Sequence, residues 1–433
     1  MCRKARGEPA NCRLTFHYPN HVCRTHYPLM NPSPYHSADI VALQVIIKTV
    51  ERCNLACSYC YVFEGTDHSW RRHDPVITRQ TIAQIASFLE TGLKSMPGIR
   101  RLSIAFHGGE PTMQKKGDFA WMCETLRGAV PAHVACDFAM QSNGLLIDAE
   151  WACLLAEHDV ACSISLDGPR EYHDVYRKDH HGRSSYDATV AGLQCLQAEA
   201  ARQGAVPPSV ICVVNPDMDA RQIYRHFVDD LRVESMNFLL PDVIDHRRPT
   251  AAQVERAGRY LCDLFEAWAE EDDPDIQVGV HRDLMSRFLG SDTMSFPDLT
   301  QTMQRVYIVV SSSGHVTPDD VLRNTQLWKA EDEPTVRDIT LESLLSSPLL
   351  HQIYRAARTV PNACDDCIWR SICGGGWLSH RFDSEQGFNS SSVWCGSLMP
   401  YFERVFDYLV RSGVAPERLR QSMESPTTRE RMR

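Results

Sequence analysis

IVALQVIIKTVERCNLACSYCYVFEG, residues 40–65, runs an apolar segment straight into three closely spaced cysteines. Its first eleven residues are almost continuously apolar and rich in β-branched side chains. That pattern suits a strand buried on both faces, as in a parallel sheet. Cys53, Cys57 and Cys60 follow at once as C-x3-C-x2-C. They sit too close together for a disulfide framework and are one thiolate short of a closed tetrahedral zinc site.

Outward from this stretch the chain alternates. TRQTIAQIASFLETGL reads as an amphipathic helix, RLSIAFHGG as a strand and GDFAWMCETLRGAV as a helix. VACDFAMQSNG, ACSISLDG, SVICVVN and SMNFLLP continue the strands, and DAEWACLLAEHD opens its helix on an acidic N-cap. Six apolar strands alternating with helices predict an α/β fold, a partial (βα)6 barrel of the TIM type with a parallel sheet. In such barrels the functional groups stand at the C-terminal ends of the strands. The cysteine loop, HGGEP, QSNG and SLDG all fall there. The expected division is an arm over 1–39, the barrel over 40–245 and connecting helices over 246–305. A smaller Cys-rich domain over 306–403 and a C-terminal helix over 404–433 follow, with a frayed polar tail from Ser412.

The 433 residues are 43% apolar, ample for a large core, and the net charge of −10 argues against a general nucleic-acid binder. No apolar run is long enough to span a bilayer, and the N-terminus lacks the apolar core of a secretory signal. A cytoplasmic location is expected. Seventeen cysteines in a reducing compartment point to metal ligands where they cluster. Scattered ones such as Cys123, Cys136, Cys153, Cys162, Cys195, Cys212 and Cys262 read as small buried hydrophobes. Residues 1–39 hold Cys12, Cys23, His17, His21 and His26 at spacings matching no zinc pattern.

Three thiolates can hold three irons of a [4Fe–4S] cube and leave the fourth open to an amino acid chelate. Here the sequence resembles the radical S-adenosylmethionine (SAM) superfamily, whose hallmark is this cysteine spacing after the first barrel strand. The resemblance implies a SAM-cleaving [4Fe–4S] cluster on Cys53, Cys57 and Cys60. It further implies that Gly108, Gly109 and Glu110 meet the methionine amino group and that the Tyr59 backbone meets adenine. Ser165 and Arg177 match the positions that hold the ribose and the carboxylate of SAM. Glycines at 108 and 109 would admit close backbone approach.

A second cluster reads Cys364-x2-Cys367-x5-Cys373-x21-Cys395. By spacing alone it is a closed site for zinc or for a fully ligated [4Fe–4S] cluster. It resembles the SPASM extension of sulfatase and peptide maturases, which implies iron–sulfur. That pattern carries two auxiliary clusters, yet Asp319 and Trp377 stand at two expected cysteine positions, and no cysteine lies between Cys262 and Cys364. One auxiliary [4Fe–4S] cluster is therefore expected. Asp320, beside the lost ligand, matches the general base of sulfatase maturases; on its composition alone the Asp319–Asp320 pair is equally a solvated turn.

YVFEGTDHSWR, GRSSYD, NFLLPDVIDHRRP, CGGGWLSHRF and GFNSSSVWC are similar to the FxsB/XyeB-type maturases that form three-residue cyclophanes. The implied reaction joins an aromatic ring carbon to the β-carbon of a nearby residue in a ribosomally made precursor peptide. The expected partners are that peptide, as leader plus core, and an external electron donor such as flavodoxin or ferredoxin. Residues 1–39 are too few for a winged-helix leader-binding domain, so a separate leader-binding protein is a further candidate. No nucleic-acid or membrane partner is expected. The alternatives are an anaerobic sulfatase maturase forming formylglycine and a non-catalytic peptide-binding scaffold.

Overall fold

The computed structural model describes residues 40–243, 248–290 and 304–424. The N-terminal arm and residues 244–247 of NFLLPDVIDHRRP lie outside them. Ile40, Val45 and Ile47 are fully buried, as the unbroken apolar run of the first strand requires. The strands are β1 (Ile40–Val50), β2 (Arg101–Gly108), β3 (Ala135–Ser142), β4 (Val160–Ser165), β5 (Ser209–Val213) and β6 (Ser235–Leu239). They pair in parallel in chain order, Val45 opposite Ile104 and Ile104 opposite Phe138.

The sequence reads six barrel strands, with YIVVSSSGHVTPDD as a further strand and turn after them; among the described residues one sheet holds nine strands. A two-residue β7 (Gln277–Val278) extends it beside β6. At the other edge β8 (Gln304–Val310) pairs in parallel with β1, Val45 opposite Ile308, and β9 (Val316–Thr317) folds back antiparallel on β8. YIVVSSSGHVT is thus an edge hairpin of the barrel sheet itself. Its C-terminal turn delivers Asp319 and Asp320 against β1.

Several of the crossover helices begin where a short polar side chain satisfies free N–H groups. Thr78 caps α1 (Arg79–Ser95), and Asp148 caps the helix Ala149–Glu157. Thr250 and Gln253 form a reciprocal capping box on the long helix Ala251–Glu271. The C-terminal stretch is a correction: Pro416–Glu424, expected to fray, is a helix held by the fully buried Leu419. Leu419 and the partly buried Met423 dock this otherwise polar segment. Among the described residues no helix is long and apolar enough to cross a membrane.

Candidate active site

Backbone geometry comes first. The Gly109 and Glu110 N–H groups donate to the Val50 and Arg52 carbonyls at 2.6 and 2.9 Å, strapping the HGGE loop to the start of the cysteine loop. A Cβ on Gly108 would lie 2.2 Å from the Val50 oxygen, and one on Gly109 2.0 Å from the Arg52 oxygen. The close approach these glycines permit is to the chain itself, not only to a ligand. Glu110 is buried. It accepts from the Thr112 N–H (3.0 Å), Thr112 Oγ1 (2.5 Å), Ser142 Oγ (2.8 Å) and the Asn143 N–H (2.7 Å). Burial pushes its carboxyl up, and these donors pull it back. Its visible work is to lock the end of β2 to the end of β3.

Every residue that the sequence assigns to the barrel site lines one cleft of about 1450 Å³: the three cysteines, Tyr59, Gly108, Gly109, Glu110, Ser165, Arg177 and Asp320. Burial, then Glu110 and the neighbouring cysteines, pushes the Cys53 thiol up to about 12, and burial likewise raises Cys57 and Cys60. Three such groups become thiolates together only against a large positive charge, which an iron–sulfur cluster supplies. Among the described residues no three His, Cys, Asp or Glu side chains converge closely enough for a single metal ion.

The far wall is a chain of buried polar groups. Arg177 Nη1 donates to the Tyr59 hydroxyl at 2.6 Å, and that hydroxyl donates to Asp167 Oδ2 at 2.6 Å. Asp167 Oδ1 in turn accepts from the Val213 N–H at 3.2 Å. Arg177 Nε is buried with no hydrogen-bond partner, an orphaned donor beside the cysteine loop that fits the carboxylate of an amino acid ligand. Ser165 Oγ accepts from Gln141 Nε2 at 3.2 Å.

The two aspartates of the β9 turn part company. Asp319 Oδ1 accepts from the Val321 and Leu322 N–H groups at 2.6 and 2.8 Å and caps the following turn. Asp320 Oδ2 accepts from Lys48 Nζ at 2.7 Å and from the Tyr61 hydroxyl at 2.5 Å. Lys48 Nζ also reaches His107 Nδ1 at 3.1 Å. Lys48, Tyr61, Gln141, Asn143 and Asp167 were not singled out from the sequence. Lys48 had a legible signal, as the one charge in an eleven-residue apolar strand.

The four C-terminal cysteines form a second group. Burial first, then the charges of Cys395 and Cys367, raises the Cys364 thiol, and burial pushes Cys373 up to about 12. Gly374, Gly375 and Gly376 all have positive φ, 63°, 88° and 79°. A Cβ on Gly375 would lie 2.5 Å from Pro361 Cδ, so the CGGG run is a left-handed turn that wraps the cysteines. Trp377 stacks on His380, with ring centroids 5.2 Å apart. It lines an apolar cavity of about 1080 Å³ that meets the main cleft at Leu240. Both residues at expected ligand positions therefore have packing or capping roles of their own.

Comparison with known proteins agrees with this geometry. Residues 47–204 match the Radical SAM superfamily. A cysteine-type anaerobic sulfatase-maturating enzyme of Clostridium perfringens is 26% identical over 377 residues, covering 85% of this chain and 97% of its own. The serine-type enzyme of Bacteroides thetaiotaomicron is 23% identical, covering 85% and 90%. The structure of native anSMEcpe with bound AdoMet and Cp18Cys peptide superposes with a TM-score of 0.70 at 21% identity, covering 86% of this chain and 98% of that one.

Proposed function

Starting from a chain that is a radical SAM enzyme, with SAM and a [4Fe–4S] cluster as cofactors, we propose that it oxidises a side chain of a peptide substrate by two hydrogens and that the product is a three-residue cyclophane. The observation that carries oxidation of a peptide is Asp320, a buried carboxylate in the same cleft as Cys53, Cys57 and Cys60; Asp319 and Trp377, engaged elsewhere at expected ligand positions, favour the cyclophane product. When bound, SAM and the clusters supply the one-electron chemistry: a 5′-deoxyadenosyl radical to take one hydrogen atom, and an acceptor for the electron left on the adduct.

The chain's own residues do the rest. Cys53, Cys57 and Cys60 hold the SAM-cleaving cluster. Arg177 receives the SAM carboxylate on its orphaned Nε, Ser165 the ribose and the Tyr59 backbone the adenine, while the Gly108–Glu110 loop meets the methionine amino group. Asp320 accepts the proton whose loss restores the aromatic ring. Cys364, Cys367, Cys373 and Cys395 hold a single auxiliary cluster, since Asp319 and Trp377 are committed elsewhere. The peptide enters as leader plus core, with the leader bound elsewhere on the chain or by a separate protein, and flavodoxin or ferredoxin supplies electrons.

Formylglycine formation is the second reading, favoured by likeness to the sulfatase-maturating enzymes over 85% of this chain. It uses the same cleft and the same base. Anaerobic incubation with SAM, dithionite and two peptide sets separates them. Peptides with aromatic-x-x motifs should become lighter by about two mass units and resist fragmentation between the joined residues. Formylglycine on the Cys- or Ser-bearing sulfatase peptides, with the aromatic set untouched, would reverse the assignment.

A further inference from the structure

Lys48 lies near the end of an apolar strand with its side chain 7% exposed, opposite an Asp320 side chain 6% exposed. A buried ammonium is costly unless it is paired and its donors are used. Here they are used by groups from three different elements. Nζ donates to Asp320 Oδ2 at 2.7 Å in the β9 turn and to His107 Nδ1 at 3.1 Å on β2, and it lies 5.4 Å from the ring centre of Tyr61 in the cysteine loop. An ammonium offers donors only, so His107 Nδ1 must accept and the ring keeps its proton on Nε2.

Behind Asp320 is a small polar chamber that also borders Lys48 and Tyr61. The other charged or titratable groups facing it are Glu51, Asp67, His315 and Arg323. Each belongs to another contact. Glu51 is 3.1 Å from His73, His315 stacks on His73, and Arg323 pairs with Asp67 and Glu333. Lys48 Nζ touches the carboxylate directly, and His107 Nδ1 stands 4.0 Å from the same Asp320 oxygen.

We propose that Lys48 is a positioning residue for proton removal: it keeps the buried Asp320 ionised and aimed into the cleft, and it fixes the tautomer of His107 beside it. This rests on the reading of Asp320 as the base. A buried carboxylate without a cation is stable only when protonated, and a protonated carboxyl cannot accept the substrate's proton. Tyr61, a neutral donor to the same oxygen, orients the carboxylate without supplying charge.

The test compares reconstituted holoenzymes with SAM bound: wild type, Lys48→Met, Lys48→Gln, Lys48→Arg and Asp320→Asn. Infrared difference spectra are recorded between about pH 5 and 9, and the band that Asp320→Asn removes reports Asp320. Wild type and Lys48→Arg should show an ionised carboxylate at neutral pH, and both uncharged variants a protonated carboxyl. If Lys48→Met fails to retain iron, Lys48→Gln decides, because it keeps a donor and removes only the charge. Dithionite-driven SAM cleavage should be unchanged in the Lys48 variants. Peptide oxidation at neutral pH should fall by about 10²-fold in Lys48→Gln and by less than about 10-fold in Lys48→Arg, with the Lys48→Gln rate recovering as pH rises. An Asp320 that stays ionised in Lys48→Gln overturns the proposal. Undiminished product from Asp320→Asn would refute the base itself, reducing the infrared shift to a structural pair without a role in the reaction.

Discussion

Asp319 and Asp320 are adjacent in the chain and equally buried, and they differ in the partners they meet. Asp319 spends its oxygen on two backbone N–H groups, whereas Asp320 meets an ammonium and a phenol at the edge of the cleft. Asp320→Asn keeps shape and removes basicity, so peptide oxidation should fall by roughly 10²-fold while SAM cleavage persists. Asp319→Asn retains an acceptor oxygen for the turn and should change product yield by less than about 10-fold. Product and 5′-deoxyadenosine quantified in parallel separate the two. Equal losses from both substitutions would instead make the turn, and not the base, the sensitive feature.

Among the elements, the strap between the HGGE loop and the cysteine loop is the most tightly toleranced. An added Cβ at Gly109 overlaps the Arg52 carbonyl, and neither backbone can yield without moving Cys53. Gly109→Ala should therefore lose the first cluster selectively, lowering iron from about eight per chain to about four while the C-terminal cysteines keep theirs. Iron analysis after anaerobic reconstitution reads this directly, and an unchanged count would show that the strap gives. The β8 strand is the other sensitive element, because it alone carries the Asp320 turn to β1. Ile308 is fully buried against Val45, and Ile308→Ala should cost about 2–5 kcal/mol in denaturant unfolding.

Over the whole molecule, two histidines couple stability to pH. His173, packed near Arg177 and Arg170, and His281, bonded to the Tyr401 hydroxyl at 2.7 Å, are fully buried, and burial depresses each to about 3. Both are neutral in the fold and titrate near 6.5 when unfolded. Their contribution is therefore complete above about pH 6.5 and is lost as pH falls from there toward 3. Each costs roughly 1.4 kcal/mol for every pH unit in that window. The denaturation midpoint should drop between about pH 7.5 and 5.5, and His281→Gln should flatten the dependence. A midpoint constant over that range would show that these rings take up a proton within the fold as readily as in the unfolded chain.

Much of this was legible along the chain. β1 coincides with IVALQVIIKTV, because a nearly continuous apolar run with apolar side chains on both faces of the strand favours burial on both. The cysteine, HGGE, QSNG and SLDG motifs meet in one cleft because parallel βα units put every strand's C-terminal end on the same side. Local pattern sufficed for these, since each strand's neighbour is set by the alternation itself. Three features were decided only in the fold. β8 docks on β1 after more than half the chain, and no periodicity specifies which open edge a late strand will choose. Lys48 meets Asp320 across 272 residues, a pairing that exists only once that edge is filled. The distinct fates of Asp319 and Asp320 follow from the same docking: two identical side chains in one turn acquire opposite roles according to which of them the sheet turns toward the buried ammonium.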